Sequence, residues 1–181
     1  MNSSELIAVR ENAERLFSAA EVDQAMDDIA QAVTARLASS NPILLTVMNG
    51  GMFTTSMLLN RLHFPLEVDY IHLSRYGDKT SGGDIRWIKR PPPSIKGRTV
   101  LLVDDLLDLG VTLKTAVEAC YDARASNVLT AVLLVKTLER PAGLSQTDFF
   151  GLTGPNRYVF GCGMDYKNYW RNCRDIFAVR T

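Results

Sequence analysis

Three acidic residues, a tight loop and the start of a helix follow one another within residues 100–113, VLLVDDLLDLGVTL. A short apolar run, a turn and then a 3.6-residue period predict a buried strand, a loop and a helix N-terminus. Unpaired N–H groups and the helix dipole favour an anion there, so residues 109–112 are suited to bind a phosphate. Because carboxylates repel phosphate, Asp104 and Asp105 fit a different part of the same ligand, such as the two hydroxyls of a ribose or a metal ion. A ligand with a sugar in the middle and a phosphate at one end would satisfy the whole stretch.

Two further candidate ligand-binding positions follow apolar runs of strand type. Asn49 and Gly50 come directly after residues 43–48 and before a helical pattern. Glycine lets the backbone approach a ligand closely, although a plain strand–helix turn explains the same pattern. Lys136 ends the apolar run 128–135. Lys136 could bind a ligand, because ligands bind at the carboxyl ends of parallel strands. The alternative is that it is only solvated, as a lone lysine at a strand end usually is.

The elements that position these residues are predicted from the hydrophobic period. An amphipathic helix is predicted over residues 4–17, and Ser18 with Glu21 forms a capping box that begins a second helix. Strands alternating with helices predict an α/β fold with a mostly parallel sheet. The predicted strands are residues 43–48, 66–73, the apolar start of 100–113, 128–135, 149–150, 158–160 and 176–179.

Residues 74–96 follow neither the helical nor the strand period. Glycines and prolines interrupt a polar segment that carries several basic side chains. A connection of this length is unusual inside a compact domain. Two interpretations stay open: a solvated β-hairpin, and a basic, mobile flap that closes over an anionic ligand and excludes water.

The composition predicts one globular domain, because 46% of the 181 residues are apolar and 22% are charged. Twenty basic residues balance twenty acidic ones, so the charge gives no reason to expect nucleic-acid binding or a membrane surface. Three widely spaced cysteines argue against a disulfide framework and a zinc site, and they favour a reducing cytoplasm. Neither a signal peptide nor a membrane span is expected.

Five motifs together resemble the purine phosphoribosyltransferases of the hypoxanthine-guanine type. They are TVMNGG, SRYGDKTSGG, VLLVDDLLDLGVTL, VLLVKT and YVFGCGMDYKNYWRN, and they stand in the order of that family within residues 43–179. The resemblance implies a type I phosphoribosyltransferase fold, with a mostly parallel central sheet flanked by helices and a small hood subdomain. Residues 1–181 would form one domain, with a core at about 38–150, a hood from the N-terminal segment and about 151–181, and a flexible loop at 74–96.

The resemblance implies separate roles for the three acidic residues of VLLVDDLLDLGVTL. Asp104 and Asp105 would hold the ribose hydroxyls, directly or through Mg²⁺. Asp108 would be the general base or proton acceptor at N7 of the purine. The 5′-phosphate would be bound by the loop residues Leu109, Gly110, Val111 and Thr112, and the three aspartates would complete the site of the sugar phosphate.

The resemblance also implies which residues bind the purine. Lys136 would donate to the 6-oxo group, and Tyr158 would stack on the base. The backbone of Val159 would read the edge of the base. Asp165 would lie beside a second Mg²⁺, and Arg171 would contact the pyrophosphate.

The pyrophosphate site would be completed by Asn49 and Gly50, after a non-proline cis peptide between Met48 and Asn49. The flexible loop would contribute Ser74 and Tyr76. Two residues depart from the pattern of the family. A leucine at position 109 replaces the usual threonine or serine, and Asn49 replaces a common lysine. Both changes would weaken donor binding without abolishing the chemistry, because the three aspartates remain.

The implied activity is transfer of the 5-phosphoribosyl group from 5-phosphoribosyl-1-pyrophosphate to N9 of hypoxanthine or guanine, which yields IMP or GMP and pyrophosphate. Small molecules and Mg²⁺ would be the partners, in a cytoplasmic homodimer or homotetramer with no nucleic-acid or membrane partner. Two alternatives stay open: a regulator that has the phosphoribosyltransferase fold, and a phosphoribosyltransferase that prefers xanthine.

Overall fold

The computed structural model describes residues 1–75 and 85–180. Four helices are present in these ranges: α1 Ser3–Asn12, α2 Ala19–Leu37, α3 Gly51–Leu59 and α4 Val111–Asp122, with a 3₁₀ turn at Pro93–Ile95. The strands are β1 Glu14–Phe17, β2 Ile43–Met48, β3 Glu67–Arg75, β4 Ile85–Lys89, β5 Thr99–Leu107, β6 Asn127–Lys136, β7 Phe149–Gly154, β8 Val159–Phe160 and β9 Ile176–Ala178.

The central sheet has six strands in the order β4-β3-β2-β5-β6-β7. All neighbouring pairs are parallel except β3 and β4. The chain leaves β2 toward one edge of the sheet and returns to β5 on the other side, so the strand order reverses between these two strands. In open parallel sheets, ligands bind at the carboxyl ends of the strands at such a reversal. The predicted fold class is therefore confirmed, and the fold itself indicates where a ligand binds.

Helices cover both faces of the central sheet. On one face, α2 and α3 pack on alternate strand residues such as Leu44, Leu101 and Leu133. On the other face, α4 packs on the residues between them, such as Leu45 and Leu102. Because both faces are buried, the strands are almost continuously apolar, as expected for a parallel sheet.

A second, three-stranded sheet has the order β1-β9-β8, and its strands pair antiparallel. Its residues Val159, Ile176 and Ala178 share one core cluster with α2. The carboxylate of Asp175 accepts a hydrogen bond of 2.6 Å from the N–H of Ala19, which ties β9 to the start of α2. This sheet lies within the segments expected to form the hood, whose boundaries remain a prediction.

The structure corrects the prediction for the N-terminal segment. The helix predicted over 4–17 ends at Asn12, and β1 follows it at Glu14–Phe17. The reason is a tertiary one, since β1 pairs with β9, which lies at the far end of the chain. The capping box that begins the second helix is confirmed, because Ser18 and Glu21 exchange side-chain and backbone hydrogen bonds.

For the segment 74–96 the sequence left open a β-hairpin and a mobile flap, and its described ends form two paired strands. Ser74 lies in β3, and β4 pairs antiparallel with that strand. The side chains of β4 alternate between half-buried and exposed, which is the pattern of an edge strand with one covered face. Tyr76 lies outside the described residues, so its expected contribution remains a prediction.

Among the helices of the described ranges, none has both the length and the apolar character needed to cross a bilayer.

Candidate active site

A cavity of about 410 Å³ opens at the carboxyl ends of β2, β5 and β6. Its position is the reversal of strand order that the topology singles out. The cavity brings together most of the residues that the sequence singled out: Asn49, Gly50, Asp104, Asp105, Asp108, Thr112, Lys136, Tyr158, Val159, Asp165 and Arg171. Leu109, Gly110, Val111 and Ser74 are not among its lining residues.

The acidic pair lies at the end of β5, inside this cavity. Asp104 is only 9% exposed, and one of its carboxylate oxygens accepts the backbone N–H of Asp105 at 2.9 Å. Burial raises the pKa of Asp104 well above its ordinary value, and the neighbouring charge of Asp105 raises it further. Burial also raises the pKa of Asp105, whereas the guanidinium of Arg171 lowers it. A buried and a half-buried acid that are costly to ionise together favour a cationic or hydrogen-bond-donating ligand.

The backbone after β2 approaches this acidic pair closely. A cis peptide bond joins Met48 and Asn49, as the resemblance implied. A Cβ atom on Gly50 would lie 2.1 Å from Oδ2 of Asp105, so any larger residue here would push the carboxylate of Asp105 aside. The loop therefore presents backbone groups to the cavity directly beside the carboxylates.

A lysine and an aspartate form an ion pair on the other side of the cavity. Nζ of Lys136 lies 3.2 Å from Oδ2 of Asp108. The lysine side chain is 9% exposed and the aspartate side chain 47%. Lys136 therefore lies on the buried side of the cavity, and Asp108 lies at its opening. A planar ligand with a carbonyl oxygen and a nearby N–H would find an ammonium donor and a carboxylate acceptor side by side.

The loop between β5 and α4 has the geometry of an anion site. Gly110 occupies the position before α4 with φ +72°, and no side chain caps the helix. The first N–H groups of α4 are therefore without a side-chain cap, and the helix dipole favours a negative group there. Thr112 lines the cavity from the first turn of this helix. Leu109, the residue that departs from the family pattern, is 36% exposed at this loop.

The remaining wall of the cavity comes from residues near the C-terminus. Arg171 forms an ion pair of 2.7 Å with Asp165 and donates a hydrogen bond of 2.6 Å to the carbonyl of Gly163. Tyr158 is about half exposed and meets Tyr166 edge to face at 5.6 Å. An exposed aromatic ring held by a second ring at the cavity opening can stack on a planar ligand.

Several contributors were not singled out from the sequence. Apolar side chains complete the cavity lining: Val47, Met48, Leu73, Leu106 and Met164. Arg140 binds the backbone of two site residues, Asp108 and Lys136. An arginine in a polar connection has no pattern that distinguishes it from a solvated one, whereas Leu73 could have been found from its place near the end of a predicted strand. Ser74 is an exposed residue of β3 and does not line the cavity.

The carboxylates fit a hard divalent cation. Asp104 and Asp105 offer oxygen ligands whose burial a cation would offset. Within residues 1–75 and 85–180, no three side chains of His, Cys, Asp or Glu converge as a complete metal site. Magnesium keeps several waters and takes ligand oxygens from phosphates, so one or two carboxylates are the protein contribution it requires.

Comparison with known proteins identifies the class. Residues 12–167 match the family described as "Phosphoribosyl transferase domain". The chain therefore belongs to the phosphoribosyl transferase domain family. The prediction made from the five motifs is confirmed, and the relatives specify the branch of the family that this chain resembles.

One similar relative is the hypoxanthine-guanine phosphoribosyltransferase of Bacillus subtilis, which is 30% identical over 166 residues and aligns over 91% of this chain and 92% of its own length. The bifunctional protein TilS/HprT of Listeria innocua is 33% identical over 161 residues and 87% of this chain. That alignment spans 24% of the Listeria protein, so the chain corresponds to about a quarter of it.

Solved structures show the same fold. The hypoxanthine phosphoribosyltransferase of Staphylococcus aureus superposes with a TM-score of 0.87 at 23% identity, over 99% of this chain and 96% of that one. A mutant hypoxanthine phosphoribosyltransferase of Trypanosoma cruzi, complexed with the product IMP, superposes with a TM-score of 0.81 at 27% identity, over 94% and 93%.

Proposed function

We propose that the protein is a purine salvage enzyme that transfers the 5-phosphoribosyl group from 5-phosphoribosyl-1-pyrophosphate to N9 of hypoxanthine or guanine. The products are IMP or GMP and pyrophosphate. One observation carries the proposal: a single cavity holds the acidic pair Asp104 and Asp105, and the ion pair of Lys136 with Asp108. The first pair suits a ribose and the second suits a 6-oxopurine.

The donor would lie along the acidic pair. Its 5′-phosphate would accept hydrogen bonds from the backbone of residues 109–112 and from the Thr112 hydroxyl, at the uncapped start of α4. The ribose hydroxyls would donate to Asp104 and Asp105. The pyrophosphate would lie against the backbone of Asn49 and Gly50 and against Arg171, as the resemblance implies.

The purine would fill the other end of the cavity. Tyr158 would stack on it, and the backbone of Val159 would bind its edge. Lys136 would donate to the 6-oxo oxygen, which is a group that adenine lacks. The same ammonium lies 3.2 Å from Asp108, so one ion pair would contact the 6-oxo oxygen and N7, which lie on the same edge of the purine.

The reaction would be a substitution at C1 of the ribose. The lone pair of N9 forms the new C–N bond while the C1–O bond to pyrophosphate breaks, and Asp108 accepts the proton that leaves N7. Arg171 would help to balance the charge on the departing pyrophosphate. Asp104 and Asp105 would hold one Mg²⁺ and Asp165 would lie beside a second, and these ions when bound would supply further positive charge for that pyrophosphate.

A turnover assay tests the proposal. Purified protein with Mg²⁺ and 5-phosphoribosyl-1-pyrophosphate is offered hypoxanthine, guanine, xanthine and adenine separately, and nucleotide formation is followed. Hypoxanthine and guanine are expected to react, and adenine is not. Turnover with xanthine alone would change the assigned base, and failure with every base would refute the enzyme. Asp108→Asn is the matched negative control.

The assembly and location are part of the same proposal. The proposed location is the cytoplasm, and the proposed homodimer or homotetramer is supported by large apolar side chains that lie exposed on β3 and β4, namely Val68, Tyr70 and Ile88. Light scattering of the purified protein tests the assembly. A monomer at all concentrations would contradict it.

A further inference from the structure

One arginine outside the cavity lining binds the backbone at the carboxyl ends of two strands. Arg140 is half-buried in the connection after β6. Its Nε donates to the carbonyl of Asp108 at 2.6 Å, and Nη2 donates to the carbonyl of Leu107 at 3.0 Å and to that of Lys136. Nη1 donates to the carbonyl of Leu138 at 3.1 Å. The guanidinium therefore satisfies four backbone acceptors.

These acceptors lie where the pairing of β5 with β6 ends. The last paired residues of the two strands are Leu107 and Val135. Beyond them, the guanidinium of Arg140 joins the backbone of Asp108 to that of Lys136. The side chains of the same two residues form the ion pair at 3.2 Å. Arg140 thus holds the backbone of both residues whose side chains form the ion pair.

The same connection also packs against the anion-binding loop. The N–H of Leu144 donates to the carbonyl of Gly110 at 3.0 Å. A Cβ atom on Gly143 would lie 1.8 Å from the carbonyl oxygen of Leu109, so the two backbones are in direct contact. Lys114 in α4 donates to the carbonyl of Ala142 at 3.3 Å. Residues 140–144 therefore contact the backbone of the residues proposed to bind the base and of the loop proposed to bind the phosphate, from outside the cavity.

We propose that Arg140 is a positioning residue that holds Asp108 and Lys136 at the spacing the purine requires. The inference rests on the proposed function, since it assumes that these two residues meet the base. A planar fork with five N–H donors can bind several carbonyls at once, which an ammonium cannot do in the same geometry. A displacement of about 1 Å in reacting groups can cost about 100-fold in rate.

The test compares Arg140→Met, which keeps the length of the side chain without its donors, with Arg140→Lys, which keeps the charge without the fork. Arg36→Met, at an exposed position near the end of α2, is the matched control. For each protein, kcat and KM are measured with hypoxanthine and with the donor. The affinity for pyrophosphate and the melting temperature are measured in parallel.

A positioning role predicts that Arg140→Met lowers kcat/KM for hypoxanthine by about 100-fold. Arg140→Lys should fall between that variant and the wild type, and the control should match the wild type. Affinity for pyrophosphate should change less than about 2-fold, since the four hydrogen bonds of Arg140 go to Leu107, Asp108, Lys136 and Leu138 and not to the proposed pyrophosphate site. An equal loss of pyrophosphate affinity would show a merely structural role and overturn the inference.

The remaining outcomes are also decisive. If Arg140→Met folds and keeps kcat/KM within about 3-fold of the wild type, or if Arg140→Lys is fully active, the inference is wrong. If Arg140→Met does not fold, Arg140→Lys alone decides. Absence of turnover in the wild type would instead be a failure of the proposed function. In that case calorimetry with IMP decides, and equal affinity in the wild type and Arg140→Lys would overturn the role of Arg140.

Discussion

Replacing Asp104 by asparagine should stabilise the protein without ligand while weakening donor binding. Asp104 is 9% exposed, and burial is the largest cause of its raised pKa, followed by the charge of Asp105. Asparagine keeps the oxygen that accepts the N–H of Asp105 and removes the charge. The substitution therefore isolates the cost of a buried carboxylate that serves a ligand.

The sign and size of the effect follow from linkage. Above the ordinary pKa of 3.8 the unfolded chain releases this proton, whereas the folded protein retains it until its raised pKa is reached. The free energy of unfolding of the wild type therefore falls as the pH rises from the ordinary pKa to the raised pKa of Asp104. Asp104→Asn lacks this carboxyl group and does not show that fall. Single stabilising substitutions are commonly worth about 0.5–2 kcal/mol. For a domain of this size, that corresponds to about 1–8 °C in Tm.

The assay is thermal unfolding of both proteins from pH 4 to pH 8, with and without Mg²⁺ and the donor. The advantage of Asp104→Asn should be small at pH 4 and grow with pH, and the ligands should raise Tm more in the wild type. Asp28→Asn, which removes the same charge from an exposed position on α2, is the control. A variant less stable than the wild type at every pH, or a Tm difference independent of pH, would refute the reasoning.

Three further substitutions test other parts of the site. Lys136→Met removes the donor proposed for the 6-oxo group and should lower kcat/KM for hypoxanthine about 10- to 150-fold, since hydrogen bonds to charged groups are worth about 1.5–3 kcal/mol; an unchanged value in steady-state kinetics would remove Lys136 from base binding. Leu109→Thr restores a hydroxyl beside the proposed phosphate, so the KM of the donor should fall about 2- to 12-fold for about 0.5–1.5 kcal/mol, and a higher KM would count against that loop. Trp170→Ala removes the indole N–H that donates to the carbonyl of Leu6 at 3.0 Å, and urea denaturation should show a loss of about 1–3 kcal/mol; an unchanged midpoint would mean that α1 is not held by this contact.

Local patterns predicted the parts of the fold whose causes are local. The strands of the central sheet are apolar runs buried on both faces, and their period and length identify them directly. The capping box of Ser18 and Glu21 is complete within four residues of sequence. Most of the residues predicted for the site lie at one cavity, because they follow strands whose carboxyl ends meet.

Features that depend on distant partners were not predictable in this way. Residues 14–17 continue the helical pattern of the preceding segment, but they form a strand because their backbone pairs with the edge of β9. β4 likewise forms on the edge that β3 provides. Arg140 stands in a polar connection, and only the folded chain shows that four carbonyls converge on it.

A crystal structure of the protein with bound IMP tests the central claim most directly. The phosphate should lie on the backbone N–H groups of residues 109–112, and the ribose should face Asp104. The purine should stack on Tyr158, with its 6-oxo oxygen within hydrogen-bond distance of Lys136 and N7 facing Asp108. A phosphate at another loop, or a base that lies away from the ion pair, would contradict the account.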